Sequence, residues 1–218
     1  MITAEMIQAF HIGYDIANLE GPGYEDEEIL VFLNQAQSIE VLKEVAIKRW
    51  TYISNLISND VLSTAHSAWG LYDHHTVAVP LNYIGYISSK TLIERSTFKS
   101  TDGIEWMNNI LIRKELSGKY ISNSLNHVIL IQPRVYEEED GHISLIIDRH
   151  TTTTPPNNFI LEYIHLPSSI TVASDSEVNK VLHERIVTTA IDLGKKVWNP
   201  QEAGVSKQTD QLQKQPEA

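Results

Sequence analysis

The sequence predicts an α+β protein: a helical bundle core, built from N-terminal helices and a C-terminal helix, carrying an inserted antiparallel β-sheet. Three observations predict it. Apolar residues recur at helical spacing over about 25–56 and 176–198. Between about 69 and 170 the chain turns to β-branched and aromatic runs. An Asp140-Gly141 step lies between two such runs, the pattern of a tight hairpin. At 218 residues the chain is expected to form a single α+β domain over 1–198, with 199–218 a disordered or extended C-terminal arm.

The first helix is expected over 3–17, with Thr3 as its cap and Met6, Ile7, Phe10, Tyr14 and Ala17 on one face. Leu19-Glu20-Gly21-Pro22-Gly23 ends it, because Pro and Gly favour a turn. The second helix opens on Glu25-Asp26-Glu27-Glu28, four acids suited to the positive end of a helix dipole. Ile29, Phe32, Leu33, Ala36, Ile39, Leu42, Val45, Ala46, Ile47 and Trp50 form its expected apolar face, and Lys43, Lys48 and Arg49 gather towards its C-terminal half.

Strands are expected at Thr76–Leu81 and Tyr83–Ile87, where Pro80 and Gly85 suit an edge or a bulge. Residues 96–126 are polar and irregular, with Trp106 and the short apolar run Ile110-Leu111-Ile112. His127–Ile131, continuing to Tyr136, and His142–Asp148 flank the acidic turn Glu138-Glu139-Asp140-Gly141, and Phe159–Leu166 completes an expected meander. The last helix begins with a possible capping box, Ser174 to Glu177, and Val178, Val181, Leu182, Ile186, Ala190, Leu193 and Val197 line one face. Gly194 weakens its final turn. Beyond Asn199 the chain is rich in Gln, Lys, Glu and Pro and too poor in apolar residues to offset its ordering entropy.

Composition narrows the function classes. The absence of cysteine excludes disulfides, thiol nucleophiles and thiolate metal sites, and fits a reducing cytosol. The start shows no secretory signal, and no apolar run reaches the ~20 residues a bilayer requires. A net charge of −11 with no basic stripe argues against tight nucleic-acid binding.

The catalytic and metal readings are weak. Nine histidines are scattered over separate elements, and His74-His75, being adjacent, point to opposite faces of a strand. Asp148-Arg149-His150 resembles an acid–base set, but consecutive strand residues do not share a pocket, and no G-x-S-x-G motif supports Ser63, Ser67 or Ser88 as a nucleophile. Gly21-Pro22-Gly23 lacks the Lys-Ser/Thr of a phosphate loop. Glu137 to Asp140 suits calcium, yet a solvated hairpin tip explains it more simply. No catalytic, metal or cofactor residue is therefore assigned.

Surface anchors are the better candidates. Trp106 reads as an interface residue or as local packing, while Trp50, on the apolar face of its helix, reads as core. Trp106, Tyr136, Glu138, Asp140, Trp198 and Gln201 are the candidate contacts to other subunits or partners.

Several segments, taken in order, resemble the ring proteins that lie beneath the portal in virions of crAss-like tailed bacteriophages. They are the helix Met6–Ala17 followed by Leu19-Glu20-Gly21-Pro22-Gly23-Tyr24, then Glu28–Gln37. Val79-Pro80-Leu81-Asn82-Tyr83 and Ser88-Ser89-Lys90-Thr91-Leu92-Ile93 follow. Tyr163-Ile164-His165-Leu166-Pro167, Leu182–Val187 and Ala190–Leu193 close the pattern. The resemblance spans about residues 5–198 and rests on order and spacing rather than on one motif. It implies a structural virion protein at the head–tail junction, synthesised in the host cytoplasm, without enzymatic activity. Its partners would be further copies in a dodecameric ring, the portal, adjacent tail or ring proteins, and DNA passing through the lumen without specific binding. A tail-tube or tail-hub component, and a non-viral soluble protein-binding adaptor, are the alternative readings.

Overall fold

The computed structural model describes residues 1–17, 23–69, 72–95, 104–116, 133–148, 151–153 and 158–198. The α+β class holds. Backbone contacts divide the chain into two compact units, one of residues 1–56 and 166–218 and one of residues 57–165. Among the described residues no helix is long and apolar enough to cross a membrane.

The first unit carries three α-helices, α1 (Thr3–Ala17), α2 (Asp26–Ala46) and α3 (Lys180–Trp198), and a 3-10 helix over Trp50–Leu56. Met6, Phe10 and Tyr14 of α1, Ile29, Phe32, Leu33 and Ala36 of α2, and Leu182, Ile186 and Ala190 of α3 form its buried face. Phe10 stacks on Tyr14 and on Phe32, and Tyr24 meets Phe10, Tyr14 and Phe32 edge-on.

The second helix stops ten residues earlier than its apolar pattern predicts. Lys48 takes a left-handed backbone (φ 55°). The Lys48 N–H then donates to the Val45 carbonyl at 3.0 Å and the Arg49 N–H to the Glu44 carbonyl at 3.0 Å. These two bonds are the Schellman termination that usually recruits glycine. Ile47, past the stop, lies exposed, as do Leu42 and Ala46, which fall off the buried stripe of α2, and Trp50 is half-buried in the 3-10 helix.

The predicted capping box of the last helix does not form, because α3 begins at Lys180. Glu177 instead accepts from the Ser168 N–H and hydroxyl at 2.9 and 2.7 Å, and Asn179 caps the helix through the Val181 N–H at 3.1 Å. Asp175 serves the other end of the chain, accepting from the Thr3 N–H at 2.7 Å and its hydroxyl at 3.0 Å. Those bonds hold the Asp175 carboxyl below its usual range. Thr3 thus donates to Asp175 rather than capping α1 itself, and Ile2, just ahead of the helix, donates its N–H to Glu5 at 2.9 Å.

The described residues of 57–165 form two sheets rather than the single inserted sheet expected, and strand structure begins at Ile57 rather than near 69. Ten strands are described: β1 (Ile57–Leu62), β2 (Ala65–Trp69), β3 (Tyr72–Ala78), β4 (Tyr83–Arg95), β5 (Ile104–Asn108), β6 (Ile110–Leu111), β7 (Arg134–Glu137), β8 (His142–Asp148), β9 (Thr151–Thr153) and β10 (Phe159–His165). One sheet runs β1-β10-β4-β5 with β9 also beside β4, and the other runs β2-β3-β8-β7-β6. Every pairing is antiparallel except β6 with β7. The hairpin β7–β8 forms as predicted, with Gly141 at φ 80° supplying the conformation its turn requires. The expected meander does not continue, since β10 pairs with β1 and β4 in the other sheet. Alternation decides the core: Val77, Val135, Ile143, Leu145 and Ile147 from one sheet meet Phe159, Leu161 and Tyr163 from the other. The strands by which the chain enters and leaves this unit, β1 and β10, are paired neighbours, with Ile57 opposite Ile164.

Candidate functional site

The candidate residues whose side chains the structure describes do not converge on one site. Trp106 lies on β5 opposite Leu92 of β4 and is 43% exposed, so its indole remains available to a partner. Tyr136 is 3% exposed, packed with Ile146 and Ile112. It is an interior residue, which corrects its assignment to the surface. The cause is strand alternation: Val135 fills the core between the sheets, so Tyr136 must face the opposite side, where Ile146 of β8 lies buried.

Glu138 is held inside its own unit. Ser144 donates to its carboxylate at 2.8 Å and the Lys114 ammonium lies 3.1 Å away. Burial raises the Glu138 carboxyl, but the hydrogen bonds of Ser144, Lys114 and Tyr136 outweigh it, leaving the group below the usual glutamate range. Asp140 remains exposed at the hairpin tip, 3.2 Å from His142. Trp198 is the final residue of α3, with its side chain outside the described residues; Gln201 lies wholly outside them. The expected strand at His127–Ile131 and the C-terminal arm also lie outside the described residues.

A chain of polar groups crosses the outer face of β3 and β8. His74 Nε2 lies 3.1 Å from Ser144 Oγ, and Ser144 donates onward to Glu138. With the serine proton directed at the carboxylate, the His74 nitrogen must donate to Ser144, so it cannot serve as that serine's base. Burial lowers the His74 pKa, which keeps the ring neutral near pH 7. The arrangement is a satisfied structural relay. Asp148 ends β8, and its proposed partners Arg149 and His150 lie outside the described residues. Among the described residues no group of three or more His, Cys, Asp or Glu is placed to hold a metal ion.

The most elaborate electrostatic arrangement escaped the sequence reading. Glu40 and Glu44, one turn apart on α2, are 2% and 0% exposed. Arg185 of α3 bridges them, with Nη2 2.6 Å from Glu40 and Nη1 2.6 Å from Glu44. Lys43 at 2.6 Å and the Thr189 hydroxyl at 2.8 Å also serve Glu40. Arg49 lies 3.9 Å from Glu44. Burial pushes the Glu40 carboxyl up, while Lys43, Thr189 and Arg185 together pull it below its ordinary value. A signal was present in the spacing: Leu33, Ala36, Glu40 and Glu44 fall on one helical stripe, so the glutamates had to share the buried face.

A second arrangement fixes the loop ahead of α3. Asn34 donates to the Ile170 carbonyl at 3.0 Å and accepts from the Ile170 N–H at 2.7 Å, completing a backbone-like bridge with its side chain. Gln37 donates to the Ser168 carbonyl at 2.9 Å and accepts from Ser176. The chemistry of these groups is that of clamps between elements. Compared with protein-family models and with curated proteins, the sequence matches no family model and no curated protein.

Proposed function

We propose that the protein is a structural component of a tailed-bacteriophage virion, one of many copies forming a ring beneath the portal. The ring joins capsid to tail and lets DNA pass through its lumen. The observation that carries this reading is the ordered resemblance over about residues 5–198, two of whose segments fall on structural clamps. Leu33-Asn34-Gln35-Ala36-Gln37 supplies the two amides that hold the 168–176 loop, and Leu182–Val187 contains the arginine that bridges two buried glutamates. Segments held together by such clamps suit a scaffold that bears load.

In this role the protein works by fit and turns over no substrate. Its partners are further copies, the portal and the neighbouring tail or ring proteins. The net charge of −11 disfavours adhesion of DNA to the channel wall. Repetition of one heterologous contact by rotation closes into a ring when the angle permits, and a dodecamer matches a dodecameric portal. Negative-stain microscopy of the full chain at high concentration, paired with its native mass, tests the reading. Closed rings with a central hole are expected. A stable monomer that also fails to bind purified portal would refute it and favour a soluble adaptor.

A further inference from the structure

The sheet that carries Trp106 ends in two strands of complementary polarity. Its order is β1-β10-β4-β5 with every pairing antiparallel, so β1 and β5 run in opposite directions. The β5 edge of one copy set beside the β1 edge of another therefore continues the antiparallel alternation.

Register fixes which backbone groups those edges present. The Leu92 N–H donates to the Asn158 carbonyl at 2.8 Å, so Asn158, and by alternation Ile160 and Glu162, direct their backbone groups at β4. Phe159, Leu161 and Tyr163 then bond to Leu62, Asp60 and Ser58, leaving the N–H and C=O of Ile57, Asn59 and Val61 turned outward. The Asn109 N–H donates to the Ser89 carbonyl at 2.9 Å, so on β5 it is Ile104, Trp106 and Asn108 that turn outward. Among the described residues no strand covers either edge. Neither β1 nor β5 contains a Lys, a Pro or a bulge, and the inward charge on β1, Asp60, is satisfied by the Tyr163 hydroxyl at 2.8 Å.

Side chains select one register. Leu62 packs into the core, so Val61 points away from it and is 56% exposed. Trp106 also points away from the core: its β4 partner Leu92 alternates with the buried Thr91 and Ile93. Placing Val61 opposite Trp106 puts two outward backbone groups in a hydrogen-bonded pair and two exposed apolar side chains on the same face. That register also sets Asn59 beside Asn108.

We propose that β1 of one copy pairs antiparallel with β5 of the next, Val61 opposite Trp106, as the head-to-tail contact of the assembly. This rests on the ring reading and supplies its interface. The occupant is a second copy because the same sheet offers both halves of the contact with matching polarity and outward-facing residues.

The cysteine-free chain allows a direct test. Opposite residues of a hydrogen-bonded antiparallel pair lie about 5.5 Å apart at Cα, within disulfide reach. Oxidation of the full-length V61C/W106C double variant is expected to give a covalent ladder extending past the dimer, while neither single variant cross-links. V61P removes an outward N–H without breaking a bond inside the sheet, and should weaken association roughly tenfold with an unchanged circular-dichroism spectrum. Should V61P fail to fold, the cysteine pair decides. A dimer from either single variant would mean like edges meet, and overturns the proposal. So would closed rings that yield no ladder, an outcome that leaves the ring reading standing. A ladder accompanied by open filaments would uphold the strand pairing and sink the ring reading.

Discussion

Arg185 is placed to offset two buried negative charges at once. Each carboxylate on α2 would be costly away from water, and the guanidinium fork meets one oxygen of each at 2.6 Å. Replacing Arg185 with Met keeps the stem and removes the charge, and should destabilise the protein by about 3 kcal/mol at pH 7. The effect depends on pH with a definite sign. The folded Glu40 pKa lies below its ordinary 4.5, so its stabilisation is complete above that value and is lost as pH falls through the folded pKa. The gap between R185M and the parent in urea midpoint should therefore narrow between pH 7 and pH 3. An equal gap at both would exclude the ionic account. His183 adds an earlier slope: burial, foremost, lowers its pKa from 6.5, so acidification below 6.5 already favours the unfolded chain.

At the scale of the element, Gly194 shows a helix position governed by its neighbours. Within an isolated helix, alanine would be preferred there by about 1 kcal/mol. In the fold a Cβ would meet the Phe10 ring at 3.2 Å and the Tyr24 ring at 3.3 Å, while the Tyr24 hydroxyl donates to the Gly194 carbonyl at 2.9 Å. The aromatic cluster of α1, Tyr24 and α2 sits directly against the α3 backbone. Gly194→Ala should thus lower stability by about 1–2 kcal/mol, read as a depressed thermal midpoint. A raised midpoint would show that the rings can shift at little cost. The Lys48 termination is the counterpart at α2, where a non-glycine residue adopts a left-handed backbone and two hydrogen bonds fix the stop.

At the scale of the molecule, the strand unit is an insertion whose ends meet. Ile57 and Ile164 are opposite one another on β1 and β10, so removing the segment between leaves a gap that a short linker can close. The aromatic cluster and the Glu40–Glu44–Arg185 clamp both lie wholly within residues 1–56 and 166–198. Replacing 57–165 by a short Gly/Ser linker should preserve helical circular dichroism and a cooperative melt. Loss of cooperativity would show that the helices depend on the inserted strands.

Local pattern was enough for the α+β class, α1, the opening of α2 and the β7–β8 hairpin with its glycine, while it left Trp106 open between interface and packing. Each rests on interactions among residues near in the chain: helical spacing, turn chemistry, strand alternation. Only the tertiary structure decided that β10 joins β1 and β4, that the insertion holds two sheets, and that Tyr136 lies inside. It also decided that Asp175 serves α1, and that Glu40 and Glu44 are buried. Those outcomes depend on partners far apart in sequence, such as Arg185 for Glu40 and Thr3 for Asp175. A buried charge is tolerated only when a distant partner arrives to meet it; local spacing can place Glu40 and Glu44 on the buried stripe but carries no record of Arg185.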